Sequence, residues 1–257
     1  MDLTISLVSH NQRRDLERLL GTLLPAAGRI RSEILLMDNK SVDGTRRFVR
    51  VNFPGVDVAV NPSGAGYGEN HNRNLKRARG RFFLIMNSDM TVEKDSLASL
   101  LDQMDRHPEI GIIAPKILNP DGTVQGLNKR YPTALDLFLR RFGPKALRPL
   151  FRKRLDHYEM RDVGYDRICD VPFLSGAFMF CRSDVLTSLG GFDPRFFLYF
   201  EDVDLCRRVQ RTHKTVYYPK ASATHFWHRS AHKNVFYTYH FMKSALRYYR
   251  KWGWQLY

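Results

Sequence analysis

The amino-acid sequence predicts an α/β fold in which a mostly parallel central sheet is flanked by helices. Short apolar runs of strand length alternate with amphipathic runs of helix length through the first hundred residues. Polar side chains directly follow several of these strands. The chain has 257 residues, of which 43% are apolar, so it can bury one continuous core. Ligands of parallel sheets bind beyond the carboxyl ends of the strands, and the pattern therefore also predicts where a site lies.

The first half of the chain contains four predicted strands joined by helices. The strands are the apolar runs at 3–8, 33–38, 57–61 and 81–86. The first helix carries a stripe of leucines, Leu16, Leu19, Leu20, Leu23 and Leu24. Further helices are predicted at 44–51, from the glycine-rich PSGAGYG to near Arg79, and at 93–106. This order predicts a nucleotide-binding type of sheet.

The second half is less regular. The segment NPDG at 119–122 predicts a turn that opens a hairpin, and the apolar run 170–181 predicts one long strand. A short helix should end at the glycine pair 190–191, before a last strand, KTVYYP. At the C-terminus an apolar stripe with basic residues on the opposite face predicts an amphipathic helix; its members are Val235, Met242, Leu246 and Tyr249. We find no repeat or linker.

Two carboxylates stand at strand ends. Asp38 ends a buried strand, where an aspartate commonly caps a turn, but where it can also accept the N3–H of uracil or thymine. Asp89 follows another strand, with Asn87 two residues earlier, and oxygen ligands of this kind suit Mg²⁺ or Mn²⁺. Either residue alone could be a turn aspartate. Their coincidence on one edge of the sheet, where a nucleotide would lie, favours a binding site.

A third acidic cluster, Glu201, Asp202 and Asp204, follows the apolar stretch at 196–200 in RFFLYFEDVDLCRR. Acidic residues are favoured in the first turn of a helix because its dipole attracts negative charge. An apolar wall can also hold a carboxylate at a chosen basicity. Asp204 is predicted to pair with Arg207 or Arg208 within the helix.

The formal net charge of +15 calls for an anionic partner, such as nucleic acid, acidic phospholipid or a phosphorylated small molecule. Basic and apolar residues alternate in the segment 129–167, which suits either an anionic membrane surface or a basic helical hairpin packed on its own domain. There is no apolar run of about 18 residues and no signal-peptide pattern, so we expect a cytoplasmic protein, peripheral on the inner face of the membrane. The three cysteines form no metal or disulfide pattern.

Five segments taken in order resemble inverting family 2 glycosyltransferases of the GT-A fold. They are SHNQRRDLERLLGTL, ILLMDNKSVDGT, ARGRFFLIMNSD, LSGAFMFCRSDVLTSLGGFDPRFFLYFEDVDLCRR and ATHFWHRS. The NSD triplet, the NKRYPT stretch and FFLYFEDVDLCRR are most similar to the rhamnosyltransferase-like branch, which builds bacterial surface polysaccharides. The combination in this order covers nearly the whole chain and is specific.

The resemblance implies roles for individual residues. Asp202 would be the catalytic base and Glu201 its support; Asp89 would bind Mg²⁺ or Mn²⁺ with His225, or with His228 in its place. Asn87 stands where the family's metal motif has its first aspartate, which leaves one charge fewer on the metal. The remaining assignments are Ser9, His10, Asn11, Asp38, Asn72, Asn87 and Ser88 to the nucleotide, and Gly176 and Phe200 to the acceptor.

These resemblances imply an inverting transferase of L-rhamnose from a dTDP donor to a saccharide acceptor, in free form or carried on a polyprenyl lipid. The alternatives are a UDP- or GDP-sugar donor and, in another class, a basic nucleic-acid-binding protein, which would leave the acidic clusters unexplained. We expect no nucleic-acid partner. The predicted organisation is a GT-A domain at 1–230, with a nucleotide-binding half at 1–115 and an acceptor-binding half at 116–230, followed by a helical appendage at 231–257.

Overall fold

A computed structural model describes residues 1–141, 143, 149–227 and 235–256. Within these residues the strands are β1 (Leu3–Ser9), β2 (Ser32–Asp38), β3 (Val56–Val60), β4 (Phe82–Asn87), β5 (Met90–Val92), β6 (Ile110–Leu118), β7 (Cys169–Asp170), β8 (Phe178–Arg182) and β9 (Lys214–His225). The helices are α1 (Arg13–Ala27), α2 (Thr45–Asn52), α3 (Tyr67–Leu75), α4 (Ser96–Arg106), α5 (Ala134–Arg141), α6 (Arg152–Tyr158), α7 (Ser183–Ser188), α8 (Glu201–Val209) and α9 (Val235–Trp252).

All nine strands belong to one sheet, whose order is β3-β2-β1-β4-β8-β6-β9-β5, with β7 paired to β9. The pairs β1–β2, β1–β4 and β2–β3 are parallel, as the alternating pattern predicts. Strand β8 runs antiparallel between β4 and β6. The register sets Ser9 opposite Asp38 and Val8 opposite Asn87, so the polar strand ends lie at one edge of the sheet.

Two apolar layers cover the sheet, because successive side chains of a strand point to opposite faces. One layer joins Leu3, Ile5 and Leu7 of β1 to four leucines of the predicted stripe of α1, whereas the fifth, Leu24, is exposed. The other joins β4 and β8 to α8 and α9 through residues such as Phe83 and Tyr248. The first layer therefore builds the nucleotide-type sheet, whereas the second connects that sheet to the acidic helix α8.

The run 170–181 is not the single long strand that its composition predicts. Strand β7 ends at Asp170 and β8 begins at Phe178. Between them Phe173 exchanges two backbone hydrogen bonds with Lys129, and Gly176 N donates to a side chain of α8. The backbone groups in the middle of the run are thus satisfied outside the main ladder. By contrast, the predicted turn at NPDG is confirmed, since a bridge joins Leu118 to Val124.

The predicted apolar stripe of α9 is wrong as a packing face. Val235 is 83% exposed and Met242 is 53% exposed, whereas Tyr249 is buried. The buried side of α9 is formed by Ser244, Ala245, Tyr248 and Tyr249. Small residues and tyrosines make this contact, and a count of aliphatic residues alone does not find it. No helix in the described part of the chain is long and apolar enough to cross a membrane.

Candidate active site

Several residues predicted to bind the nucleotide lie in the loops after β1 and β2, and hydrogen bonds join these two loops. Asp38 is buried and accepts the backbone N–H of Ser41 at 3.1 Å. The Asn11 backbone has φ 54°, and its side-chain oxygen accepts Val42 N at 2.8 Å. His10 Nδ1 lies 2.7 Å from the Asn39 carbonyl oxygen. The loops after the two strands are thereby fixed to each other, while the hydroxyl of Ser9 is buried without a hydrogen-bond partner among the described residues.

His225 and Asp89 meet beside the end of β4. His225 Nε2 lies 3.2 Å from Asp89 Oδ1, and both residues are buried. Gln125 holds the histidine from behind: its Nε2 donates to the His225 carbonyl oxygen at 3.0 Å, which turns its Oε1 to His225 Nδ1 at 3.0 Å. Nδ1 therefore carries a ring hydrogen, and Nε2 faces Asp89. Two acceptor atoms at this distance repel unless a proton or a cation lies between them.

These residues fit a divalent cation, but they supply few ligands. The part of the chain that the structure describes contains no group of three or more His, Cys, Asp or Glu side chains able to hold a metal ion. Asn87 lies nearby at the end of β4 and lines the adjoining cavity. His228, the alternative to His225, lies outside the described residues. Water or the oxygens of a ligand would have to complete the coordination of Mg²⁺ or Mn²⁺.

A cavity of about 530 Å³ adjoins this pair. It brings together several predicted site residues from different parts of the chain, and its other lining residues come mostly from the segment 124–161 and from the loop before α8. The predicted members are Asn87, Gly176, Phe200, Glu201, Asp202 and His225. The cavity thus extends from the candidate metal ligands to the acidic start of α8.

Asp202 is held in the cavity wall by two backbone donors. Gly176 N donates to its Oδ2 at 3.0 Å and Val203 N to its Oδ1 at 2.9 Å. A side chain at position 176 would crowd Asp202, because an added Cβ would lie 3.2 Å from the Asp202 Cβ. Tyr67 closes the same corner, since its hydroxyl donates to the Gly176 carbonyl oxygen at 2.7 Å. Burial raises the pKa of Asp202 despite these bonds and despite the nearby charge of Lys129.

Glu201 differs from its neighbour in its lack of partners. Its Oε2 is buried and has no hydrogen-bond partner among the described residues. Burial, and next the charge of Asp202, raise the pKa of Glu201 well above its ordinary value. A carboxyl group in such a place is most stable as the neutral acid. The pair therefore combines Asp202, which two backbone N–H groups hold, with Glu201, whose environment favours the neutral acid.

The backbone that leads into α8 is strained. Tyr199 and Phe200 both have φ 67°, in the left-handed region that bulky residues rarely adopt. The Phe200 ring is buried against Phe241 and Tyr248, with centroid distances of 5.4 Å to each. These contacts hold the turn in place and direct the next two residues into the cavity. Strain of this kind is found preferentially at functional sites.

Asp204, two positions after Asp202, has a different environment. It is fully buried and accepts Arg208 Nε at 2.9 Å, which confirms the predicted pairing within the helix. Lys251 Nζ lies 2.7 Å from the same carboxylate, and Trp252 Nε1 donates to it at 2.8 Å. Asp204 is therefore a neutralised structural group on the face of α8 that is turned away from the cavity.

Several predicted site residues lie outside the lining of this cavity: Ser9, His10, Asn11, Asp38, Asn72, Ser88 and Asp89. Both ends of the Asn72 amide bind the backbone of Phe192, at 2.7 and 2.8 Å, and its assignment to the nucleotide stays a prediction. Ser88 is buried outside the lining. Sequence reasoning missed Gln125, Lys129 and Tyr67. None of them stands at a predicted strand end or helix start, although Lys129 lies in the NKRYPT stretch and begins the basic segment.

A nucleotide-type sheet with carboxylates beyond its strand ends, beside a cavity that holds a further carboxyl pair, defines a glycosyltransferase of the GT-A fold. Residues 2–250 match the model of the family described as "Glycosyltransferase like family 2". The chain belongs to this family.

Two curated relatives are similar to the chain. It is 30% identical over 244 residues to the N-acetylglucosaminyl-diphospho-decaprenol L-rhamnosyltransferase of Mycobacterium tuberculosis strain H37Rv, with 87% of this chain and 75% of the relative covered. It is 24% identical over 257 residues to rhamnosyltransferase WbbL of Escherichia coli K12, with 95% and 91% covered.

Among solved structures, the mannosyltransferase PcManGT from Pyrobaculum calidifontis, in complex with GDP-Man and Mn²⁺, is similar with a TM-score of 0.62 at 16% identity. The match covers 89% of this chain and 57% of that one. Across similar solved structures the chain spans between 37% and 60% of their length. This likeness supports the fold.

Proposed function

We propose that the protein is an inverting glycosyltransferase that transfers L-rhamnose from dTDP-rhamnose to a saccharide carried on a polyprenyl diphosphate, in the synthesis of a bacterial cell-surface polysaccharide. The observation that carries the proposal is the position of Asp202. Its carboxylate is fixed by two backbone N–H groups in the wall of a cavity that Asn87 and His225 also line. The two rhamnosyltransferase relatives support the choice of sugar.

In this reaction the acceptor hydroxyl attacks the anomeric carbon from the face opposite the nucleotide. A bond forms between that oxygen and the anomeric carbon while the bond from this carbon to the diphosphate oxygen breaks. The hydroxyl proton passes to Asp202, whose raised pKa makes it a stronger base than an exposed aspartate. Glu201, as a neutral acid, donates a hydrogen bond that orients either the acceptor or Asp202.

Asp89 and His225 would hold Mg²⁺ or Mn²⁺, and Gln125 would keep the histidine ring in the ligating tautomer. The cation, when bound, would stabilise the charge that develops on the leaving diphosphate. Asp38 would accept the N3–H of the pyrimidine, with Ser9, His10 and Asn11 around the ring. In the same scheme residues 1–115 bind the nucleotide and residues 116–230 bind the acceptor, whose saccharide contacts Gly176 and Phe200.

The exposed side of α9 supports docking on an anionic membrane, where lipid-linked acceptors reside. Val235, Tyr239 and Met242 are each more than half exposed, and Lys243 and Arg250 are exposed on the same helix. With the net charge of +15, this surface suits acidic phospholipid. Vesicles that contain acidic lipid should retain the protein at low salt better than zwitterionic vesicles, and Met242→Glu should weaken retention. Equal retention by both vesicle types would refute this placement.

The function is tested with a panel of dTDP-, UDP- and GDP-sugars in the presence of Mg²⁺ or Mn²⁺, by measuring the slow release of nucleoside diphosphate without acceptor. We expect the fastest release from dTDP-rhamnose and a loss of release with EDTA. A UDP- or GDP-sugar that is hydrolysed faster would replace the proposed donor. If no nucleotide sugar is bound or hydrolysed while generic DNA binds with a steep salt dependence, the proposal fails.

A further inference from the structure

Lys129 is a buried cation without an ion pair among the described residues. It is 8% exposed, and its backbone is fixed by two hydrogen bonds with Phe173, Lys129 N to Phe173 O at 3.0 Å and Phe173 N to Lys129 O at 2.9 Å. Its Nζ lies 4.8 Å from the centroid of the Phe173 ring. Its side chain lines the same cavity as Asp202. A buried ammonium without a carboxylate partner is unfavourable, so its retention calls for an explanation in terms of a ligand.

Other cations line the same end of the cavity. Arg140 Nε lies 3.6 Å from Glu159 Oε1, and Arg161 Nε lies 3.0 Å from Glu159 Oε2 and 3.7 Å from Asp156 Oδ1, so Arg140 shares its carboxylate with Arg161. Arg141 lines the cavity as well. This end therefore has an excess of positive charge. The burial of Lys129, together with the charge of Arg140, lowers its pKa to about 7, and an arriving anion would restore the charged form.

We infer that Lys129 and Arg140 form an anion subsite on the acceptor side of the cavity, and that the subsite binds the diphosphate of a lipid-linked saccharide acceptor. The inference rests on the proposed function, and it names the chemical class that the acceptor site selects. A neutral saccharide would leave the excess charge uncompensated. A diphosphate offers several anionic oxygens, which suit both the compact ammonium of a lysine and the planar fork of an arginine.

The position relative to Asp202 supports the same ligand. The charges of Lys129 and Asp202 interact, as the lowering effect of Lys129 on the pKa of Asp202 shows. The reacting hydroxyl has to lie at Asp202, and in a sugar diphospholipid the diphosphate is attached to the same sugar ring. In the inferred arrangement one ring contacts both groups, with the lipid leading away from the base.

The test compares two acceptors that differ only in the diphosphate: a short-chain N-acetylglucosaminyl-diphospho-prenol and the neutral prenyl N-acetylglucosaminide. In Lys129→Met, a replacement that removes the charge and keeps most of the volume, KM for the diphosphate acceptor should rise at least about tenfold. The KM for the neutral acceptor, and that for the donor in acceptor-free hydrolysis, should change less than about twofold. Lys129→Arg should recover part of the loss.

Lys153→Met is the matched control, because Lys153 is an exposed lysine of the same basic segment. It should leave both KM values unchanged. Equilibrium titration of the two acceptors, without donor, provides a second measurement, in which Lys129→Met should weaken only the binding of the diphosphate acceptor. A rise in the donor KM would assign Lys129 to the nucleotide diphosphate and overturn the inference. An equal effect on both acceptors, or no effect on either, would overturn it too.

Failure of this inference can be separated from failure of the proposed function. Acceptor-free donor hydrolysis by the unmodified protein tests the glycosyltransferase activity and does not involve the acceptor diphosphate. If hydrolysis occurs and the two acceptors respond equally to Lys129→Met, only the anion subsite is refuted. If no donor is hydrolysed, the proposed function itself is refuted.

Discussion

The two faces of α8 give neighbouring carboxyl groups opposite environments. On the inner face, Asp204 is fully buried and is surrounded by Arg208, Lys251 and Trp252. On the cavity face, Asp202 receives only backbone hydrogen bonds, and Glu201 has a buried oxygen without a partner in the described residues. Both faces belong to the same first turn of one helix.

The carboxyl group on the inner face therefore serves the stability of the fold, whereas the pair on the cavity face is available for chemistry. A buried carboxylate with cationic and N–H partners stabilises the fold only as long as all its partners are present. A carboxyl pair that is buried without cationic partners makes the folded state less stable when both groups are ionised, and natural proteins keep such groups mainly at functional sites. The experiments below should therefore separate the two faces, beginning with the largest expected effect.

The strongest test is Asp202→Asn. If Asp202 is the base, the transfer rate at saturating donor should fall by about a hundredfold to ten-thousandfold. Because burial raises the pKa of Asp202, its ionised form makes folding less favourable above that pKa, and the neutral amide should leave the free energy of unfolding within about 1 kcal/mol of the parent or raise it. Transfer assays and urea unfolding measure the two effects. A variant as active as the parent would contradict the assignment.

The matched change on the inner face is Asp204→Asn. This variant leaves Arg208 without its carboxylate partner inside the protein and leaves Lys251 with Asp193 alone, so the free energy of unfolding should decrease by about 3 to 5 kcal/mol. Urea unfolding monitored by circular dichroism measures the loss. Activity per folded molecule, assayed below the unfolding transition, should fall much less than in Asp202→Asn. A stable variant without activity would reverse the roles of the two faces.

Glu201→Gln tests whether the second cavity carboxyl group works as a neutral acid. Glutamine keeps the shape and can still donate a hydrogen bond, so kcat/KM should fall by about tenfold at most. Glu201→Ala, which removes the donor, should cost more activity than Glu201→Gln. A loss in Glu201→Gln as large as that in Asp202→Asn would mean that Glu201 acts in its charged form.

The smallest expected effect is a change in the rate of transfer with pH. Burial raises the pKa of Asp202 above the ordinary value of 3.8, and only the ionised form can accept the acceptor proton. The rate should therefore fall as the pH decreases through this raised pKa, with an apparent midpoint above 3.8 in a profile of kcat/KM. Circular dichroism over the same range should show that the fold persists. A midpoint at or below 3.8 would mean that the cavity does not desolvate the base.

The sheet was largely predictable because its strands are buried on both faces and its helices carry one apolar stripe. The four parallel strands from β1 to β4 and the leucine face of α1 follow from local pattern. The break between β7 and β8 does not, because it depends on bonds from Lys129 and α8 that are distant in sequence. The packing face of α9 was mispredicted for a similar reason, since tyrosines and small residues form it.

Candidate site residues were marked in the sequence where a polar residue stands at a strand end or a helix start, as for Asp89, Asp202 and His225, and their roles stay predictions. The residues that tune these groups were not, because their effect depends on distance in space and not on spacing in sequence. Gln125 meets His225 across 100 positions, and the Gly176 amide meets Asp202 across 26. The charge of Lys129 was visible in the sequence, but its burial was not.

The bonds from Trp252 and Lys251 to Asp204 have a consequence for protein engineering. The last turns of α9 brace the helix that carries the candidate base, so the C-terminal region is not a module that can be cut off or exchanged freely. A chimera that takes this region from a relative would also replace the residues that bind Asp204 in the acidic first turn of α8. In a deletion series, removal of residues 251–252 should reduce activity, although neither side chain lines the cavity. The loss would reflect the support that these residues give to α8, and not a role in catalysis.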